Sequence, residues 1–234
     1  MTALGFLSPG HSAEDDYPRI EQLLGSDVRL QVVRVTDEPR GTDRADRLGA
    51  GVEELRLAGA EAVVWTATDD GSTYGQEAPD QVRALALVAG VPASSMPFAF
   101  LHAVRELGVT RVAIGSTGAD EVTALFASFL RGAGLEVVSV RGAGLVPGAG
   151  ADAWGEAEVL ALARAADHDG AEAVLLPDTS LHTASWVPAL EKELGKPVLT
   201  ASQVSVWEGL RLADRRVHAP ELGALFTKEP PVQA

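Results

Sequence analysis

The sequence predicts an α/β protein built as two pseudo-symmetric lobes, each a parallel sheet flanked by helices, with a cleft between them. Three observations carry that expectation. Short β-rich apolar runs alternate with longer amphipathic ones, the pattern of βαβ units, because strands covered on both faces by helices read as continuous apolar segments. The pentapeptide Gly59-Ala60-Glu61-Ala62-Val63 recurs letter for letter as Gly170-Ala171-Glu172-Ala173-Val174, 111 residues further on, which points to a duplicated half. Two weaker echoes keep the same order: Ser8-Pro9-Gly10 with Ser116-Thr117-Gly118, and Gly90-Val91-Pro92 with Gly195-Lys196-Pro197, each pair at the same place in a strand–loop–helix unit.

In chain order the expected strands are Leu4–Leu7, Val28–Val35, Ala62–Trp65, Val112–Gly115, Glu136–Val140, Ala173–Leu176 and Pro197–Leu199. Between them Asp43–Ala58, Asp80–Ala89, Ala119–Gly132, Glu156–Ala166 and Ser185–Leu194 carry apolar residues three and four apart, with Gly just past several ends, as helices do. The repeat divides the chain into lobes 1–100 and 101–212, leaving a tail at 213–234 that ends in Lys-Glu-Pro-Pro-Val-Gln-Ala and is expected to be partly disordered. Gly142–Gly148 reads as a flexible connection.

Composition narrows the function. With 234 residues, 46% of them hydrophobic and 22% charged, the chain can bury a core. Its net charge of −14 repels phosphate backbones and anionic lipid surfaces, so neither nucleic acid nor membrane is an expected partner. No run approaches the roughly 20 apolar residues of a membrane helix, and the N-terminus lacks the basic start and apolar run of a signal peptide; a cytoplasmic location follows as the expectation. The absence of cysteine excludes disulfides, thiolate metal sites and thiol catalysis. His11, His102, His168, His182 and His218 show no metal-site spacing. No phosphate-binding loop, no Gly-x-Gly-x-x-Gly after a strand and no Gly-x-Ser-x-Gly elbow is present, so the reading includes no metal and no cofactor.

In open α/β sheets ligands bind beyond the carboxyl ends of the strands. Those ends lead here into Thr66-Ala67-Thr68-Asp69-Asp70-Gly71-Ser72 in one lobe and Pro177-Asp178-Thr179-Ser180-Leu181-His182-Thr183 in the other, and the repeat pairs Ala67 with Asp178 and Thr68 with Thr179. Hydroxyls and backbone N–H groups at a strand-to-helix turn form a cradle for carboxylate or phosphate oxygens. The candidates for substrate binding are therefore Ser8, Pro9, Thr68, Thr117, Gly118, Thr179 and His182. Asp178, directly after an apolar strand and a proline, sits where it is less solvated than a helix cap and is the candidate for a chemical role. Plainer readings stand beside these. Asp69, Asp70, Thr179 and Ser180 also suit helix N-caps, His182 a loop surface, and His102 helix surface or packing. Trp65, Trp186 and Trp207 suit the core as well as a pocket wall, and Glu14-Asp15-Asp16 fits a solvated first helical turn.

The residues resemble the aspartate/glutamate racemase superfamily, in particular its maleate cis–trans isomerase and arylmalonate decarboxylase branch. Its carriers are Gly5-Phe6-Leu7-Ser8-Pro9-Gly10, Ala62-Val63-Val64-Trp65 with the Thr-rich turn to Gly75, Pro177 to Thr183, and Pro197-Val198-Leu199-Thr200-Ala201-Ser202-Gln203 with Trp207 and Leu210-Arg211-Leu212. The resemblance implies two α/β lobes around one site, and a cysteine on the turn after the third strand of one or both lobes. Those places fall on Ala67 and Asp178, so both thiols are absent and two-thiol racemisation and thiol addition are excluded. The family's tyrosine in the fourth-strand loop is replaced by Thr117 and Gly118, and Asp69 stands where relatives carry a small hydroxyl residue, which suits a substrate less anionic than a dicarboxylate.

The expectation is thus a cofactor-independent isomerase or decarboxylase-like lyase that moves a proton on a small carboxylate- or carbonyl-bearing substrate. Asp178 is its acid/base, and Thr68 and Thr179 bind the oxyanion. Two alternatives stay open: a hydrolase or hydratase in which Asp178 and Asp69 activate water, and a non-catalytic small-molecule-binding member. The resemblance also leaves a homodimer open.

Overall fold

The computed structural model describes residues 1–9, 13–25, 27–35, 44–67, 71–143 and 150–227, apart from the side chains of residues 9, 44–47, 71 and 72. In chain order the elements are β1 (Thr2–Pro9), α1 (Asp16–Leu24), β2 (Val28–Val35), α2 (Arg44–Leu57), β3 (Ala62–Trp65), α3 (Ala78–Ala89), β4 (Ala93–Ser95) and α4 (Met96–Leu107). The second set is β5 (Arg111–Ser116), α5 (Asp120–Gly132), β6 (Glu136–Gly142), α6 (Glu156–Ala166), β7 (Ala173–Leu176), α7 (Val187–Leu194), β8 (Val198–Thr200) and α8 (Ala201–Leu212). Two four-stranded sheets result, ordered β2-β1-β3-β4 and β6-β5-β7-β8, and all the pairings are parallel. The two halves share one topology.

The repeated pentapeptide has a structural reason. Its Ala-Val starts the third strand of each sheet, where Val63 lies beside Gly5 of β1 and Val174 beside Ala113 of β5. Its Glu closes the sheet's lower edge: the Glu61 N–H donates to the Ala3 carbonyl and the Glu172 N–H to that of Arg111, both at 2.8 Å. The Glu172 carboxylate also accepts the N–H groups of Thr110 and Arg111, at 2.8 and 3.0 Å. The second echo marks a helix stop. Gly90 and Gly195 end α3 and α7 in the left-handed region, at φ 67° and 66°, which an L side chain resists and glycine does not.

The central strands are apolar because both faces are covered: Val112, Ala113 and Ile114 of β5 and all four residues of β7 have no exposed surface. Alternation sends Leu4 and Phe6 into one core and Leu7 into another. The larger core belongs to both lobes, joining Leu4 and Phe6 to Met96, Phe100, Ile114, Phe126, Leu175 and Leu210. Helix α8 packs back against β1, β3 and β4 of the first sheet. Residues 213–227 continue into this core, burying Leu222, Leu225 and Phe226; residues 228–234 lie outside the described set.

Strand β4 was not among the expected strands. Ala-Ser-Ser has no β propensity, and it becomes a strand by pairing with Val63, Val64 and Trp65 of β3. One side-chain expectation is corrected: Asp16 is not a solvated first-turn residue but is 5% exposed. It falls on the buried stripe of α1 with Ile20 and Leu24, four and eight residues on. Among the described residues no helix is long and apolar enough to cross a membrane.

Candidate active site

The carboxyl ends of β5 and β7 bring Asp178 onto the Ser116-Thr117-Gly118 turn that leads into α5. The Thr117 N–H donates to Asp178 Oδ2 at 2.7 Å and the Ser116 hydroxyl donates to Oδ1 at 2.9 Å. The same Ser116 Oγ accepts the Gly118 N–H at 3.1 Å, so the hydroxyl is held from both sides. Ser116 and Thr117 are buried, and Asp178 is half-buried. Burial pushes the Asp178 carboxyl above its ordinary 3.8, while the bonds from Thr117, Ser116 and Gly118 pull the other way without cancelling it. The result is an oriented carboxyl group that takes up a proton more readily than a free aspartate.

The segment after Asp178 is tied to the first lobe. The Thr179 carbonyl accepts the Ala13 N–H at 2.7 Å. Asp16 Oδ2 then accepts Ser202 Oγ at 2.7 Å, the Thr183 N–H at 3.0 Å and the Ala184 N–H at 3.2 Å. Burial raises the Asp16 carboxyl above 3.8, against the pull of Ser202, Thr183, Ala184 and His182. Sequence reasoning missed this seam, although an acid on an apolar stripe at i, i+4 and i+8 was a usable signal. His182 Nδ1 lies 2.8 Å from Asp15 Oδ1. Asp15, Asp16, Arg19, His182, Trp154 and Trp186 line an inter-lobe cavity of about 490 Å³.

The remaining site candidates divide. Ser8 is buried at the end of β1, Gly118 lies on the turn beneath Asp178, and Thr179 follows it. Pro9 contributes its backbone to β1 beside Val35. Thr68 and Asp69 lie outside the described residues, as does Asp70. Ala67, the counterpart of Asp178, is 5% exposed. Trp65 and Thr73 line a second cavity of about 280 Å³ with Leu48, Val52, Leu85 and Val88. Trp65, Trp186 and Trp207 each pack against a hydrophobic core while also lining a cavity. Among the described residues no group of three His, Cys, Asp or Glu side chains is placed to hold a metal ion.

Across α4 and α8 a second polar cluster holds Glu208, which has no exposed side-chain surface. Arg211 donates to it from Nε at 2.7 Å and Nη2 at 2.8 Å, and His102 Nδ1 lies 2.9 Å away. Burial alone would raise the Glu208 carboxyl, but the bonds from Arg211, His102 and Ser94 outweigh it and hold it at about 2. A carboxyl that stays ionised and is held by Arg211 and His102 ties helices together rather than passing protons.

Several known proteins share this architecture. An arylmalonate decarboxylase from Bordetella bronchiseptica is 33% identical over 146 residues, a match that takes in 58% of this chain and 58% of that protein. A solved structure of unliganded arylmalonate decarboxylase has a TM-score of 0.79 at 25% identity, covering 98% of this chain and all of the other. The Nocardia farcinica maleate cis-trans isomerase, in a mutant form with a covalently bound succinylcysteine intermediate, superposes with a TM-score of 0.86 at 18% identity over 98% of this chain and 99% of that one. A maleate isomerase from Pseudomonas putida S16 with maleate has a TM-score of 0.84 at 18% identity and covers 97% of each chain. These likenesses show a fold that carries decarboxylase and isomerase proteins, and the sequence profile of arylmalonate decarboxylase matches residues 31–226. The chain belongs to the arylmalonate decarboxylase family, as a member without cysteine.

Proposed function

We propose that the protein is a cofactor-independent lyase or isomerase that moves a proton at the carbon next to a carboxylate or carbonyl, with Asp178 as the proton carrier. One observation carries the reading: the position that the family resemblance assigns to a thiol holds a carboxyl group oriented by Ser116 and Thr117. A general acid or base must be fixed in direction and protonate near working pH; the two bonds supply the first and burial of the carboxyl moves it toward the second.

In the isomerase sense the Asp178 carboxylate takes the proton from the substrate carbon. The C–H electron pair passes into the neighbouring C=O as an enolate or enediolate, and the proton returns to carbon. In the lyase sense carbon dioxide leaves without the bonding pair, and the protonated Asp178 donates to the carbanion that remains. Thr179 is the proposed oxyanion donor from the described residues, with Thr68 as its counterpart in the other lobe; Asp69 as a second carboxyl belongs to the same proposal.

The test is turnover on a panel of small 2-oxo acids and α-aryl carboxylates for the isomerase sense and of 3-oxo acids for the lyase sense. Asp178→Asn removes the titratable group and keeps its shape, and is expected to lower kcat by at least about 100-fold, the lower range for losing a general acid or base. A folded Asp178→Asn protein with undiminished kcat rejects the proposal.

A further inference from the structure

Resting on the assignment of the site to Asp178, we infer that the substrate carries a single carboxylate, with any second polar group on its reacting carbon uncharged, because the chain's own carboxylate already fills the anion cradle of the second lobe. The cradle is the turn before α5, a helix of 13 residues, and its donors are the Ser116 hydroxyl and the N–H groups of Thr117 and Gly118. An incoming carboxylate would need these groups. Each is taken: Thr117 N–H by Asp178 Oδ2 at 2.7 Å, Ser116 O–H by Oδ1 at 2.9 Å, and Gly118 N–H by Ser116 Oγ at 3.1 Å.

Space and charge agree with this. A single carbon added at Gly118 would lie 3.3 Å from Ser116 Oγ and 3.6 Å from Asp178 Oδ1, so even a methyl group on the turn would already touch both side chains. The first turn of α5 carries Asp120 and Glu121, which add negative potential at the same end of the helix. In the first lobe the equivalent residue is Ala67, which has no carboxyl group to offer. The site is therefore asymmetric: one half of the duplicated fold fills its cradle with the Asp178 carboxyl group, and the substrate's one carboxylate goes elsewhere. A dicarboxylate would set its second carboxylate against Asp178.

Isothermal titration of the full chain with phenylmalonate and phenylacetate, which differ by one carboxylate on the same carbon, tests the inference. Asp178→Ala empties the cradle and is expected to raise phenylmalonate affinity at least tenfold while changing phenylacetate affinity less than threefold. Asp178→Asn, which removes the charge but leaves the cradle filled, gains less for phenylmalonate than Asp178→Ala. If Asp178→Ala loses its circular dichroism spectrum, Asp178→Ser serves in its place. The inference is overturned if the unaltered protein binds phenylmalonate as tightly as the emptied variant or turns it over, or if the gain is equal for both ligands. Binding is read without chemistry, so the two ideas fail separately. A filled cradle with full Asp178→Asn turnover removes Asp178 as the proton carrier; lost turnover without the dicarboxylate gain removes the single-carboxylate inference alone.

Discussion

Glu208→Gln isolates the contribution of one buried charge to the joint between α4 and α8. The substitution keeps the shape of the side chain and removes the anion that faces Arg211 and His102. Holding a carboxyl at about 2 instead of 4.5 corresponds to about 3 kcal/mol in favour of the folded, ionised form. Arg211 and His102 are 42% and 32% exposed, and solvent screening at those partners reduces the expected loss to about 2 kcal/mol. The folded value lies below the unfolded one, so this stability is complete above pH 4.5 and is lost as pH falls toward 2. By pH 3.5 about 1 kcal/mol of the difference has gone. Urea unfolding at pH 7 and pH 3.5 measures it. The expected gap between the two proteins is about 2 kcal/mol at pH 7 and about 1 kcal/mol at pH 3.5. A gap that is the same at both pH values, or absent at pH 7, refutes the electrostatic reading of this cluster.

Other consequences are equally specific. The Asp178 carboxyl sits above 3.8 in the fold, so its charge costs stability at neutral pH and that cost disappears as pH falls below 3.8; Asp178→Asn should melt no lower than the unaltered protein at pH 7, with the difference narrowing in acid. Asp16→Ala strands the N–H groups of Thr183 and Ala184 and the Ser202 hydroxyl, a loss of about 2–4 kcal/mol by chemical denaturation, whereas Asp16→Asn should lose less. At Gly115 an added Cβ would meet Leu176 Cδ2 at 3.0 Å and Ala166 Cβ at 3.1 Å; Gly115→Ala should destabilise by about 1–3 kcal/mol, and a neutral effect would show that α6 can shift away.

The parts of the fold that depend on local pattern were readable from the chain. Val112-Ala113-Ile114 and Ala173-Val174-Leu175-Leu176 are apolar because both sheet faces are covered, and the Gly-Ala-Glu-Ala-Val repeat marks the same strand start twice. Strand β4 escaped notice because its Ala-Ser-Ser derives its conformation from β3 rather than from its own side chains. Glu208 was hidden for a different reason: both faces of α8 are covered, so polar Gln203, Ser205 and Glu208 sit among buried apolar residues and periodicity singles out none of them. At the site, the repeat and the family resemblance pointed to Asp178 and to the Ser116-Thr117-Gly118 turn as separate features. Their union spans 62 residues of chain, and no spacing rule reveals that one consumes the other's donors.

Asp178 carrying a proton to and from carbon is the step on which the proposed function rests. Proton NMR in deuterium oxide, following the α-hydrogen of the small 2-oxo and α-aryl acid panel, measures that transfer directly. Exchange of one α-hydrogen is expected on at least one panel member with the unaltered protein, and none with folded Asp178→Asn. Exchange that survives the substitution, or its absence from every panel member with the unaltered protein, contradicts the proposed function.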